Sequence, residues 1–150
     1  MAINIEKVLE EWEKDAVIDE SKLDRVTIDT SLQHAKYIKI LASAKMEFLA
    51  SKQKHECLKK AMWLYYTGKM TKEEMDDRGW DYDPYKGGAK PLKSEIGQWI
   101  DADPNMQKQT AILEYRKMVI ETIEDIISTI RWRHQSIKNI IEYKRFQAGY

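Results

Sequence analysis

Residues 103–141, DPNMQKQTAILEYRKMVIETIEDIISTIRWRHQSIKNII, decide the fold class. Asp103-Pro104 is a sharp helix start, with Asp as the cap and Pro at the first helical position. No further Pro or Gly occurs until Gly149. Ile112, Val119, Ile126 and Ile140 share one heptad position, and Ile123, Ile130 and Ile137 share another. Ile120, Ile127 and Ile141 widen the apolar face beyond a two-stranded seam, so it needs cover from several helices. Some of that cover can come from the same chain and some from neighbouring copies. A two-helix hairpin leaves much of the face wet, which makes these seven seam residues an oligomerisation surface in this reading. Arg133 interrupts the isoleucine seam, marking either the end of the buried surface or an ion pair between subunits. Lys144 and Arg145 near the helix end complement its dipole.

Upstream, a short helix is expected from the cap Asn4 to Lys14, with Ile5, Val8, Leu9 and Trp12 on one face. Ser21 is expected to cap a second helix that meets no Pro or Gly before Gly68, roughly 70 Å at 1.5 Å per residue. Leu41, Phe48 and Met62 share one heptad position in it, and Ala44, Leu58 and Tyr65 another, which makes Tyr65 a core residue. Gly68 is the stop. Thr71 and Glu74 have capping-box spacing for a short acidic helix. Residues 76–91, DDRGWDYDPYKGGAKP, read as an irregular connection, with another short helix over Ser94 to Ile100.

The end of the second helix, KMEFLASKQKHECLKKAMWLYYTGKMTK (residues 45–72), joins lysines to aromatic rings. Lys45, Lys52 and Lys59 are spaced by sevens and lie on one stripe that Tyr66 continues. Trp63 lies within side-chain reach of Lys59 and Lys60. Cations that track phosphates, beside rings on which bases stack, are what single-stranded nucleic acid binding requires. The same residues also fit a plain solvated lysine face with Trp63, Tyr65 and Tyr66 turned into a core.

The chain has 25 basic and 25 acidic residues among 150, and the zero net charge hides strong segregation. Residues 1–30 carry four Lys/Arg against nine Asp/Glu (net −5), and residues 31–72 carry nine against two (net +7). Residues 73–104 carry four against nine (net −5), and residues 105–150 carry eight against five (net +3). Charge sorted this way gives local fields that the total conceals, and only the second block welcomes a polyanion. The acidic segments suit protein contacts and suit DNA poorly.

Other chemistry finds no support. There is no apolar run of about 18 residues and no signal-peptide pattern, so a membrane-spanning or secreted chain is not expected. The lone Cys57 excludes an internal disulfide framework and fits a reducing cytoplasm. DYDPYKGG begins like a calcium loop, but Tyr85 and Leu92 stand where carboxylates are needed. His34, His55 and His134 have no ligand partners at metal spacing. No catalytic constellation, metal site or cofactor is expected, and the chain does not read as an enzyme.

The order of these features resembles the UvsY-type recombination mediators of phages. The resemblance is carried by EKDAVIDESKL (Glu13 to Leu23), by the lysines ahead of YYTG (Tyr65 to Gly68), and by the closing IKNIIEYKRFQAGY (Ile137 to Tyr150). It implies ring assembly as hexamers or heptamers through the C-terminal region, and single-stranded DNA binding through basic residues just before the paired tyrosines. It also implies a phage recombinase and a phage single-strand-binding protein as partners, in the cytoplasm of an infected bacterial host. Carried over, the DNA-binding role falls on Lys60 first, with Lys59 beside it. A second basic position of the family falls on Met62 here, with Lys59 or Lys69 as substitutes. The middle segment is longer than the family pattern.

The sequence therefore reads as an all-α chain of long amphipathic helices joined by an irregular acidic segment, assembling into a ring or open barrel. Residues 1–103 are expected to form the DNA-binding region and residues 104–150 the oligomerisation helix. The expected DNA-binding set is Lys45, Lys52, Lys59, Lys60 and Lys69, with Trp63 and Tyr66 as stacking rings. The rival readings are a purely structural helical scaffold and an adaptor that loads a different motor such as a helicase.

Overall fold

Asn4 does what the sequence asks of it: its side chain accepts from the backbone N–H groups of Glu6 and Lys7 and starts α1 (Ile5–Asp15). The second start is shifted. Asp19, not Ser21, is the cap, accepting from the Ser21 backbone N–H at 2.9 Å and the Ser21 hydroxyl at 2.6 Å. A single 3₁₀ turn over Glu20–Lys22 then leads into α2 (Leu23–Tyr66), which stays helical through the β-branched stretch 26–31. Tertiary cover outweighs weak local propensity there, because Val26 is buried.

Gly68 ends α2. It adopts the left-handed conformation (φ +74°) that costs a glycine nothing. Its N–H donates to Tyr65 O and the Lys69 N–H donates to Leu64 O, the paired bonds of a Schellman stop. Thr71 Oγ1 accepts from the Glu74 N–H and caps α3 (Lys72–Arg78). Residues 79–92 are irregular, and a 3₁₀ turn over Lys93–Glu95 precedes α4 (Ile96–Ala102). Asp103 accepts from the Asn105 N–H at 2.8 Å, and Pro104 opens α5 (Pro104–Gln147).

The structure, a computed structural model, describes residues 2–149. Among the described residues there is no strand and no helix long and apolar enough to cross a membrane. The molecule divides into two compact units, residues 1–47 with 116–150 and residues 48–115. The division at 103/104 expected from the sequence is therefore a helix start and not a boundary between compact units.

The first unit has an aliphatic core. Val119, Ile123, Ile126, Ile127 and Ile130 of α5 pack with Val8 of α1 and with Tyr37 and Ala44 of α2. Ile137 is buried as well. Five of the seven seam residues assigned to oligomerisation (Val119, Ile123, Ile126, Ile130 and Ile137) are thus covered inside one chain, and that expectation is corrected. Of the two sources of cover that the sequence left open, the same chain supplies it here, through α1 and α2. Ile140 is half-buried, and Ile112, in the second unit, is exposed. Arg133 is also buried. It donates to the carbonyls of Ala16 (3.3 Å) and Val17 (3.0 Å), so it holds the connector after α1 and is not free for an inter-subunit ion pair. Lys144 reaches the same connector, donating to Glu20 O at 2.6 Å.

The second unit has a core of methionines and rings. Met62, Tyr65 and Tyr66 of α2 pack with Met70, Met75, Ile96, Ile100 and Met106. The ring hydroxyls reach outward: Tyr65 donates to Asp81 O at 2.8 Å, Tyr66 to Asp103 Oδ2 at 2.7 Å, and Tyr85 to Tyr66 O. These bonds tie the irregular segment to the core that α2 provides.

Candidate nucleic-acid interface

The last turns of α2 decide what the second unit can bind. Met62, Tyr65 and Tyr66 turn inward, so the residues between and before them turn outward. Lys52, Lys59 and Lys60 are exposed, and among the described residues none of their ammonium groups makes an ion pair or hydrogen bond. Trp63 stands four residues beyond Lys59 and keeps 44 % of its surface exposed. Lys45 is exposed too, but it belongs to the first compact unit.

Tyr66 does not join them. Only 6 % of its surface is exposed, and its ring sits among Tyr65 (5.2 Å between centroids), Tyr85 (6.0 Å) and Trp99 (6.3 Å). Burial and the bond to Asp103 raise its phenol above the ordinary value of 10.0, so it stays a neutral donor. The expectation that Tyr66 stacks on bases is corrected; it is a core ring. Tyr65 is a core ring as expected, edge-on to Tyr66 and 4.9 Å from Trp80. Met62, where the resemblance implies a second basic residue, is wholly buried and offers no surface for a phosphate.

Lys69 is placed by the helix stop. The left-handed turn at Gly68 folds the chain back, and Lys69 Nζ comes to 4.5 Å from the centroid of the Trp63 ring. Trp63 and Lys69 also share a cleft with Lys90 and Pro91, from the irregular segment, and with Lys93, which opens the 3₁₀ turn that follows it. Sequence reasoning missed Lys90 and Lys93, because the net charge of −5 over residues 73–104 hides them. The signal that reveals them is the short run KPLK at residues 90–93.

The acidic connection is structural where it resembles a calcium loop. Asp83 accepts from the backbone N–H groups of Tyr85 (2.9 Å) and Gly87 (2.6 Å), which stabilise its charged form and lower its pKa below 3.8. That carboxylate caps a turn. His55 bonds Thr110 Oγ1 at 3.2 Å and His134 lies 2.7 Å from Arg131 O, so both are held locally.

Comparison with known proteins gives one consistent result. The profile of the family described as "Recombination, repair and ssDNA binding protein UvsY" matches residues 11–150. The recombination protein uvsY of Enterobacteria phage T4 is 26 % identical over 147 residues, spanning 98 % of this chain and 99 % of that protein. A crystal structure of the bacteriophage T4 recombination mediator protein UvsY superposes with a TM-score of 0.83 at 25 % identity, covering 99 % of this chain and 100 % of that one. A second crystal form of the T4 protein gives 0.79 at 24 % identity, over 94 % and 98 % of the two chains, and shows the shared fold.

Proposed function

The chain belongs to the UvsY family of recombination, repair and single-stranded DNA-binding proteins, and from that premise we propose how it works. It is a recombination mediator: it binds single-stranded DNA and favours loading of a phage recombinase in competition with the single-strand-binding protein. It does so without catalysis, in the cytoplasm of the infected bacterium. The observation that supports this reading is the row of exposed, unpaired lysines on α2, Lys52, Lys59 and Lys60, beside the half-exposed ring of Trp63. Lys60 and Lys59 carry the largest share, and Lys45 and Lys69 add charge.

A few lysines on one helix bind a strand weakly at physiological salt, since each phosphate contact is lost as salt rises. Several copies in one assembly raise avidity and impose a path on the strand. A path that suits the recombinase better than the single-strand-binding protein tilts their competition by differential affinity alone. Self-association has an apolar face in the first unit. Ile28, Leu32, Ala35, Ala42 and Met46 lie on one four–three stripe of α2 that only Lys39 interrupts, and Leu32 and Met46 are 67 % and 73 % exposed. That face takes over the role that the isoleucine seam of α5 has lost to the core, and Ile112 and Ile140 remain secondary candidates.

The test is binding of a labelled oligothymidylate across a salt series, followed by recombinase strand exchange with the single-strand-binding protein present. Lys59→Ala/Lys60→Ala is expected to lower the slope of log affinity against log salt by roughly 1.4, from about 0.7 per phosphate contact. An unchanged slope removes these two lysines from the interface. Absence of stimulated strand exchange by the unaltered protein leaves a scaffold or another motor's adaptor as the better description.

A further inference from the structure

The cleft beside the helix stop holds chemistry that the α2 lysines alone do not explain. Its volume is about 240 Å³, below the roughly 300 Å³ at which pockets for drug-sized molecules begin. Trp63 forms one side, with Pro91 and Ile96 adding apolar surface. Three cations, Lys69, Lys90 and Lys93, line it, and no carboxylate does. Among the described residues none of these three lysines is ion-paired, and the nearest acid in sequence, Glu95, turns its Oε2 to the Leu92 N–H at 3.1 Å. The contrast within the same unit is sharp. The cleft beside Tyr66 is lined by Asp81, Asp83 and Asp103 against a single lysine, Lys86, a balance that repels a phosphate.

We propose that the cleft formed by Trp63, Lys69, Lys90, Pro91 and Lys93 is a single-nucleotide pocket in the DNA path. One base packs on the Trp63 ring, and Lys90 and Lys93 neutralise the phosphates flanking it. The inference rests on the mediator reading and extends it, since it brings into the DNA site a segment whose overall charge is negative. Lys69 has two roles in this arrangement. In the free protein its ammonium lies over the Trp63 ring, and on binding it moves to the phosphate as the base takes its place on the ring. An apolar wall, a stacking ring and three cations in so small a space match a nucleotide better than a protein side chain, which would bring no phosphate for the lysines.

The experiment uses the full chain with 5′-labelled oligothymidylate and the same strand carrying abasic sites, read by fluorescence anisotropy across a salt series. Lys90→Gln/Lys93→Gln is expected to weaken binding several-fold and lower the salt slope by roughly 1.4. Trp63→Ala is expected to weaken binding to the intact strand about tenfold, to leave the abasic strand's affinity nearly unchanged, and to be largely rescued by Trp63→Phe. Far-ultraviolet circular dichroism checks that each variant keeps its helices. If Lys59→Ala/Lys60→Ala lowers the slope and Lys90→Gln/Lys93→Gln does not, the pocket is overturned and the mediator reading stands. If Trp63→Ala weakens both strands equally, the ring does not stack on a base. If the unaltered protein binds neither strand, the mediator reading falls and the pocket with it.

Discussion

The two compact units hold themselves together by different means. The first buries isoleucines around the wholly buried ring of Tyr37, and uses basic side chains to bind its connector. The second buries methionines and tyrosines whose hydroxyls each reach a carbonyl or carboxylate of a neighbouring segment. Aliphatic packing needs a continuous helical surface on both sides. Rings with polar tips also fix chain that has no secondary structure, and this is how Asp81 and Tyr85 tie the irregular segment to α2, ahead of the Lys90 and Lys93 that line the cleft with Trp63. A cleft lined partly by chain outside the helices is thereby built against the end of α2.

The largest test of this contrast is Ile123→Ala. Ile123 is wholly buried, and the loss is expected to be about 3 kcal/mol from transfer and cavity terms. Hydrogen exchange should show loss of protection in residues 1–47 and 116–150 before residues 48–115. Equal loss everywhere means the units unfold as one, and the comparison breaks. Tyr66→Phe sharpens it at a smaller scale, about 1 kcal/mol, because it leaves Asp103 Oδ2 without its donor while Asp103 Oδ1 still caps α5. The loss should appear in the second unit only.

The smallest effect at neutral pH is the alkaline limit. Tyr65, Tyr66 and Tyr85 all have phenols raised above 10.0, mainly by burial, so the fold favours their neutral forms. Their stabilising contribution is complete below pH 10.0 and is lost as pH rises through the folded-state values. Among the described residues the first unit has one such ring, Tyr37. Tyrosinate absorbance and amide exchange above pH 10 should show the second unit loosening first, and Tyr66→Phe should reduce that difference.

Much of the fold is legible from single residues. Asn4, Gly68, Thr71 and Asp103-Pro104 work as read, because a cap is settled by atoms within four positions of it. Ser21 misled because Asp19, two residues earlier, competes for the same role. The long-range errors have another origin. Tyr66 lies three heptads beyond Lys45, and an α-helix drifts about 20° per heptad from a strict repeat of seven. Over that length the stripe turns roughly 60°, enough to carry a ring from the solvent side into the core. The cover for the isoleucine face comes from Val8 and Tyr37, more than 70 positions away, and no local pattern says which helix supplies it. The pair Lys90 and Lys93 was hidden by averaging charge over too long a block.

The hold that Arg133 and Lys144 keep on the connector after α1 has a consequence for the order of synthesis. These bonds join residues separated by 117, 116 and 124 positions, so they close long loops late. On the ribosome, residues 48–115 are all present while the first unit still lacks α5 beyond Tyr115. The unit cored by methionines and tyrosines can therefore form first, and the isoleucine-cored unit waits for the rest of α5 to emerge. A nascent chain stalled just past residue 115 would expose Val8, Tyr37 and Ala44 without their partners, and that is the window in which a chaperone would find it.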